Sequence, residues 1–246
     1  MDHSRYLELI RTESDLLLAA VERNPGAPVP SCPGWTTHDV LRHVGEVYEH
    51  KILCIELGRD PEAGERTPPP SVDAELGPWF IALRDALLGR LAARGPGQKS
   101  HTWFPPDQSV GFWYRRMALE TAVHRADAEL AGSQVTPVEP ELASDGVDEL
   151  LGFLTYDFGD RPTLAEGADR TVGLRCDGRQ WAVTLRVDRV DRAAEGTALD
   201  AWIEGEPGEL LLHLWNRHPK DASSVTRSGD PAALAALVTR LRQETQ

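Results

Sequence analysis

Residues 113–129 (Trp113-Tyr114-Arg115-Arg116-Met117-Ala118-Leu119-Glu120-Thr121-Ala122-Val123-His124-Arg125-Ala126-Asp127-Ala128-Glu129) read as one helix, opened by Ser109 as N-cap and closed by Gly132. At helical spacing Trp113, Met117, Ala128 and Ala131 form one stripe, and Glu120 and His124 fall in its middle. A helix that turns this pair inward withdraws two polar groups from water. That costs roughly 1–3 kcal/mol per unsatisfied group, and more for a charge, unless a partner is supplied. A metal ion is such a partner, because the i, i+4 spacing sets both side chains on one face, about 5–6 Å apart at Cβ. The same spacing on an exposed helix is an ordinary ion-paired face, and in a metal-free bundle Glu120 and His124 would pair with each other. It is the position inside the apolar stripe that argues for a metal.

Four more helical stretches accompany this one. Residues 4–23 carry Tyr6, Leu9, Ile10, Leu16, Leu17, Ala20 and Val21, and Asn24-Pro25-Gly26 stops them. Thr36-Thr37-His38-Asp39 resembles a capping box for a helix that runs to Leu57 and ends at Gly58. A third helix covers residues 72–94, after an exposed Pro-rich loop at 59–71, and Gly95-Pro96-Gly97 breaks it. A fifth covers residues 139–156. Long helices joined by loops predict a helical bundle. After Gly159 the pattern changes. A polar linker at 160–170 precedes two alternating segments, 171–176 and 181–187, with Asp177-Gly178 as a hairpin turn between them. A third strand is expected at 197–204, a short helix from Pro207, and a last helix from Asp230-Pro231 with Asp as N-cap and Pro at N1. The expected organisation is two domains, a bundle over residues 1–164 and a smaller α+β domain over residues 165–246.

Two ligands on one helix do not make a catalytic metal site, for which three protein ligands are usual. His43 is the candidate for the third. It lies on the capped second helix at the edge of the stripe Val40, Leu41, Val44, Val47, Tyr48, Ile52 and Ile55. Asp39, one turn earlier, either orients it or simply caps the helix. A rival set, His43, Glu46 and His50 at i, i+3, i+7, ranks lower because Glu46 and His50 point away from the stripe. His3, His38, His101, His213 and His218 have no comparable setting. Trp35, Trp103 and Trp113 read as packing or pocket-wall aromatics, and Cys54 as a small buried hydrophobe rather than a metal ligand. Two imidazoles and a carboxylate suit zinc best, with nickel, iron and manganese also compatible.

Two segments carry a family resemblance. Cys32-Pro33-Gly34-Trp35-Thr36-Thr37-His38-Asp39-Val40-Leu41-Arg42-His43-Val44 resembles the P-G-W-[ST]-x-x-D-[VL]-x-x-H signature of the mycothiol-dependent maleylpyruvate isomerase family, within the DinB-like superfamily. Residues 116–127 resemble its second signature, and residues 201–217 with Gly229-Asp230-Pro231 resemble its C-terminal domain. The resemblance implies a DinB-like four-helix bundle holding a divalent metal on His43, Glu120 and His124, followed by a sterol-carrier-like α+β domain. It also implies mycothiol as thiol cosubstrate. Arg217, in Leu214-Trp215-Asn216-Arg217, takes the place of an arginine that clamps the substrate carboxylate; the residue before that arginine is often Gly in the family, and here it is Asn216.

The implied reaction is isomerisation. A metal-stabilised thiolate adds to the cis double bond of maleylpyruvate, the bond rotates, and elimination returns fumarylpyruvate. Transfer of mycothiol to an electrophile, and metal binding without turnover, are the alternatives on the same scaffold. Composition narrows the partners. A formal net charge of −13 repels a phosphate backbone, so no nucleic-acid partner is expected. No apolar run approaches the length of a membrane span, and the polar start Met1-Asp2-His3-Ser4-Arg5 does not read as a signal peptide. Three scattered cysteines fit neither a disulfide framework nor a cysteine zinc motif, which suits a reducing cytoplasm. The acidity and the lack of an obvious apolar patch point to a monomer.

Overall fold

The computed structural model describes residues 1–133, 135–159, 161–217 and 224–244. The chain divides into two compact units, Met1–Thr136 and Pro137–Gln246. No helix among the described residues is long and apolar enough to cross a membrane.

The first unit is a bundle of four helices, α1 (His3–Arg23), α2 (Thr37–Leu57), α3 (Asp73–Arg94) and α4 (Val110–Leu130). Local signals set their ends. Asp2 accepts the Arg5 amide at 2.9 Å at the start of α1. Thr36 and Asp39 form a reciprocal capping box at the start of α2, and Gly58 closes that helix in the left-handed conformation that lacks a Cβ penalty. Ser109 accepts the Phe112 amide at the start of α4. Helix α1 packs along α4 and α2 along α3, with α2 also against α4. Gly45 lets α2 come close to α3, since a Cβ there would lie 2.3 Å from the Trp79 ring.

Helix α4 is not the one-sided amphipathic helix that its stripe suggests. It is buried on nearly every face, and only Gly111, Arg115 and Glu120 along it are less than buried. The cause is its central place, in contact with α1, α2 and α3. Its charges are therefore paired inside the protein. Arg125 Nε donates to Glu13 Oε2 on α1 at 2.5 Å, and its Nη1 donates to Glu129 Oε2 at 2.5 Å and to Thr136 O at 2.7 Å. A chain of hydroxyls joins three helices beside Glu120. Thr121 Oγ1 spends its only proton on Met117 O at 2.6 Å, so Tyr48 OH donates to Thr121 Oγ1 at 2.6 Å and Ser14 Oγ to Tyr48 OH at 2.9 Å. Burial drives the Tyr48 phenol up to about 12, which keeps it a donor at any physiological pH.

Among the described residues, the second unit holds a five-stranded sheet in the order β3-β2-β1-β4-β5 and three helices. The strands are β1 (Arg170–Cys176), β2 (Arg179–Leu185), β3 (Val190–Arg192), β4 (Ala201–Glu204) and β5 (Thr226–Gly229). All neighbours are antiparallel except the parallel pair β1 and β4. The β1–β2 hairpin turns on Asp177 and Gly178, both at positive φ as a primed turn requires. Helix α5 (Pro140–Thr155) packs on α6 (Pro207–Leu214), and α7 (Pro231–Glu244) packs on β1, β2 and β4. Asp230 caps α7 by accepting the Ala232 amide at 2.9 Å.

Three details differ from the expectations. The third expected strand starts later, at Ala201, because Thr197 closes a turn on Ala194 O and Leu199 lies over Gly173. Strands β3 and β5 carry no expectation at all; β3 is three residues long, and β5 is exposed throughout and shows no alternation. The expected domain boundary near 165 falls inside the second compact unit, which begins ahead of α5. The described residues of the polar stretch 160–170 are tied into that unit. Leu164 N donates to Val187 O at 2.7 Å and Asp169 N to Leu185 O at 2.6 Å, while the buried Arg240 guanidinium reaches Pro162 O and Val187 O.

The hydroxyl chain gives a test of the bundle. Tyr48→Phe leaves the Ser14 and Thr121 hydroxyls short of a buried partner. Urea unfolding should show a loss of about 1–3 kcal/mol with an unchanged m-value, whereas a peripheral role would leave the midpoint in place.

Candidate metal centre on helices α2 and α4

His43, Glu120 and His124 come together. His43 Nε2 lies 3.4 Å from Glu120 Oε1, and His124 Nε2 lies 3.2 Å from the same oxygen. One donor atom from each residue lies within 4.8 Å of the other two. The i, i+4 spacing on α4 delivers Glu120 and His124, and the α2–α4 contact delivers His43. His124 is buried, and His43 keeps about a third of its side chain open to solvent, at 35% exposure.

Each of the two α4 residues is steered by a neighbour on its own helix. Arg116 Nη2, one turn before Glu120, donates to Glu120 Oε2 at 2.9 Å, which leaves Oε1 turned to the imidazoles. Asp127, three residues after His124, accepts from Nδ1 through Oδ2 at 2.9 Å. That bond fixes the ring so that Nε2 faces Glu120 and His43. Asp127 is itself fully buried and accepts from Ser31 Oγ through Oδ1 at 2.5 Å. Ser31 belongs to the loop before α2, which Val29 N to Trp35 O at 2.9 Å and Thr37 N to Ala27 O at 2.9 Å close into a compact turn. Gly34 in this turn takes a positive φ of 88°. The same turn lays Trp35 against both imidazoles, with ring centroids 5.1 Å from His43 and 6.4 Å from His124. The two imidazoles meet edge to face at 4.7 Å.

The electrostatics favour a positive charge at the centre. Burial alone would raise the Glu120 carboxyl, but His124, His43 and Arg116 together hold it well below the usual carboxylate range. Burial alone would lower His124, but the Glu120 charge and the Asp127 hydrogen bond outweigh it and raise the imidazole to about 9. Without a metal the centre thus holds a proton, placed between two carboxylates, where a cation would compete for the same donors.

The other expected site residues fall elsewhere. Asp39 does not reach His43; its Oδ2 caps α2 by accepting from Thr36 N at 2.8 Å and Thr36 Oγ1 at 2.6 Å. The rival set is not assembled, since His50 faces Cys54 and Asp60 rather than His43. Arg217 belongs to the second unit, where its Nη1 donates to Trp215 O at 2.7 Å. It sits at the end of a Schellman motif: Arg217 N donates to Leu212 O at 2.7 Å and Asn216 N to His213 O at 3.0 Å. Asn216 takes φ 57°, a left-handed conformation that Gly and Asn accept, so the Gly-to-Asn difference keeps the local backbone. His218 lies outside the described residues.

Asp127, Arg116 and Ser31 are the neighbours of the cluster that sequence reasoning passed over. The first two had a signal, the helical spacing R-x-x-x-E-x-x-x-H-x-x-D; Ser31 had none, being 96 residues from its partner.

A titration follows from the charge balance. A histidine raised to about 9 stabilises the fold fully below its ordinary value near 6.5, and that contribution fades as pH climbs through 9. In metal-free protein, Glu120→Gln removes the largest charge that raises it. Proton NMR should then find His124 titrating at distinctly lower pH, and the alkaline fall in stability should flatten. An unmoved His124 titration would contradict the assigned coupling.

A family model described as the mycothiol maleylpyruvate isomerase N-terminal domain matches residues 7–129, half of the 246-residue chain. No curated protein matches the chain. Among solved structures, the crystal structures of the mycothiol-dependent maleylpyruvate isomerase and of one of its mutants are similar at a TM-score of 0.53 and 16% identity, covering 94% of this chain and 96% of theirs. At that identity the likeness speaks for the fold. A UbiJ-SCP2 ubiquinone synthesis protein aligns over 42% of this chain and 96% of its own at 15% identity, with a TM-score of 0.30. On the match to residues 7–129, the chain belongs to the mycothiol maleylpyruvate isomerase N-terminal domain family.

Proposed function

We propose that His43, Glu120 and His124 hold a divalent cation of the zinc class, and that the protein is a mycothiol-dependent enzyme of the maleylpyruvate isomerase kind. The observation that carries this reading is the convergence of three ligand atoms from two helices on one point. The donor set fits the ion. Two imidazole nitrogens and one carboxylate oxygen are a common catalytic zinc combination, and three protein ligands leave a position for a thiol. A cation bound there would stabilise the thiolate of mycothiol near neutral pH, where the free thiol is a poor nucleophile.

The chain's own residues supply the rest. Arg116 keeps Glu120 to a single inward oxygen, and Asp127 with Ser31 holds the His124 ring in its ligating orientation. Trp35 lies against the imidazole pair and forms one wall beside it. The solvent-open edge of His43 is the side from which a thiol can arrive. We assign the substrate carboxylate to Arg217 on the family resemblance of its segment, as a bidentate partner. The unbridged Cys32, Cys54 and Cys176 suit a reducing compartment such as the cytoplasm.

Elemental analysis of metal-loaded protein tests the centre. His43→Ala, Glu120→Ala and His124→Ala should each lose this ion, and Asp127→Asn should bind it about 10–100-fold more weakly with the fold intact. Retention of the ion at wild-type affinity in the three alanine variants would overturn the ligand assignment.

Turnover is tested separately. Metal-loaded protein with mycothiol should isomerise maleylpyruvate and regenerate the thiol, and Arg217→Lys should raise KM by losing the planar fork. Conversion of a generic electrophile to an S-conjugate, with no isomerisation, would make it a transferase. No reaction with either substrate would leave a metal-binding protein without this chemistry.

A further inference from the structure

A second group of ligating side chains lies at the other end of α2. His50 and Cys54 are i, i+4 on its last turns, with Cys54 Sγ 3.5 Å from His50 Nδ1. Gly58 then turns the chain back at φ 69°, and Asp60 Oδ1 comes within 3.0 Å of His50 Nε2. One donor atom each from His50, Cys54 and Asp60 lies within 4.8 Å of the other two. His101, on the loop before α4, brings a further imidazole to 3.9 Å from Asp60 Oδ1. None of these residues takes part in the His43 centre.

We propose that His50, Cys54 and Asp60 form a second, sulfur-containing site for a divalent cation of the zinc class, with His101, beside Asp60, as a further donor.

The chemistry suits such an ion. Zinc bonds of about 2.0–2.3 Å around a tetrahedron set neighbouring donors about 3.3–3.8 Å apart, and with one nitrogen of His50 counted the three donors lie within 4.8 Å of one another, so small side-chain rotations would close the set on an ion. Nitrogen, sulfur and oxygen donors together select zinc over magnesium or calcium. Cys54 is fully buried, and burial lifts its thiol to about 11, so without a cation it is an inert hydrophobe. Asp60 is exposed, which gives an ion a way in from solvent. Lys51 is the cation that now serves the cluster, with Nζ 3.0 Å from His50 Nδ1. Its other resting place is the face of Trp113, 4.8 Å away, where it can stay when a divalent ion takes the imidazole. Four donors with no open position would make the site structural. It would pin the end of α2, the turn at 58–60 and the loop carrying His101 to one another.

The sulfur separates this site from the other experimentally. Metal-free full-length protein is titrated with Co²⁺ and, in parallel, loaded with Zn²⁺ for elemental analysis. The expected result is a thiolate-to-cobalt charge-transfer absorption in the wild type. It should vanish, with loss of one zinc per chain, in Cys54→Ser and in Asp60→Asn, and it should persist in His43→Ala and Cys32→Ser. Asp60→Asn is the deciding variant, because its exposed side chain can change without disturbing the core, and circular dichroism confirms that it folds. The proposal falls if folded wild-type protein shows no such absorption. It falls equally if the absorption survives Asp60→Asn, or if it depends on Cys32 or His43. Absence of the absorption, or its survival in Asp60→Asn, leaves the His43 centre untouched, since that centre as assigned contains no sulfur; dependence on His43 would instead place the sulfur there.

Discussion

A carboxylate inside a buried helix is the constraint around which the first unit is arranged. Helix α4 runs through the middle of the bundle, so Glu120 can neither reach bulk water freely nor be left uncompensated. Its two oxygens have separate duties. Oε2 is held by Arg116, and Oε1 faces two imidazoles at 3.4 and 3.2 Å. Without a metal the centre stabilises itself with a proton on His124, flanked by Glu120 and Asp127. The features that raise His124 to about 9 are those that would attract a divalent cation in the proton's place.

The placement of His43, Glu120 and His124 is set by contacts outside these three residues. The loop 27–37 does two jobs through residues four positions apart, with Ser31 on Asp127 and Trp35 against the imidazole pair. This explains the shape of the first signature segment. Pro33 and Gly34 shape the turn, Trp35 lies on His43 and His124, Thr36 and Asp39 start the helix, and His43 is delivered one turn later. The Ser14–Tyr48–Thr121 hydroxyl chain ties α1, α2 and α4 within one residue of Glu120, and so limits sliding of α2 past α4.

Helix α2 carries side chains that could hold a metal ion in two places, near its middle and in its last turns. His43 faces α4, while His50 and Cys54, two and three turns on, face the turn that follows Gly58. The two clusters differ in donor chemistry as well as in place. The first is braced by Arg116 and Asp127 and keeps the His43 edge open to solvent; the second contains a buried sulfur and lies beside the turn that follows α2.

Local physics made much of this legible in the sequence. Helix caps at Thr36, Ser109 and Asp230, the stop at Gly58 and the turn at Asp177-Gly178 are decided by neighbours within four residues, and they stand where the sequence puts them. The i, i+4 relation of Glu120 and His124 is of the same kind. The remaining features depended on tertiary contacts. That α4 is buried all round, and not on one stripe, follows from three helices meeting it. That His43 joins Glu120 while Asp39 only caps follows from how α2 lies on α4, and the pairing of Ser31 with Asp127 follows from a loop folding back over a distant helix. Strand β5 exists because β4 offers it an edge, not because its own residues alternate. Residues close in sequence share a turn of helix whatever the fold, whereas residues 70 to 100 positions apart meet only after the helices have packed.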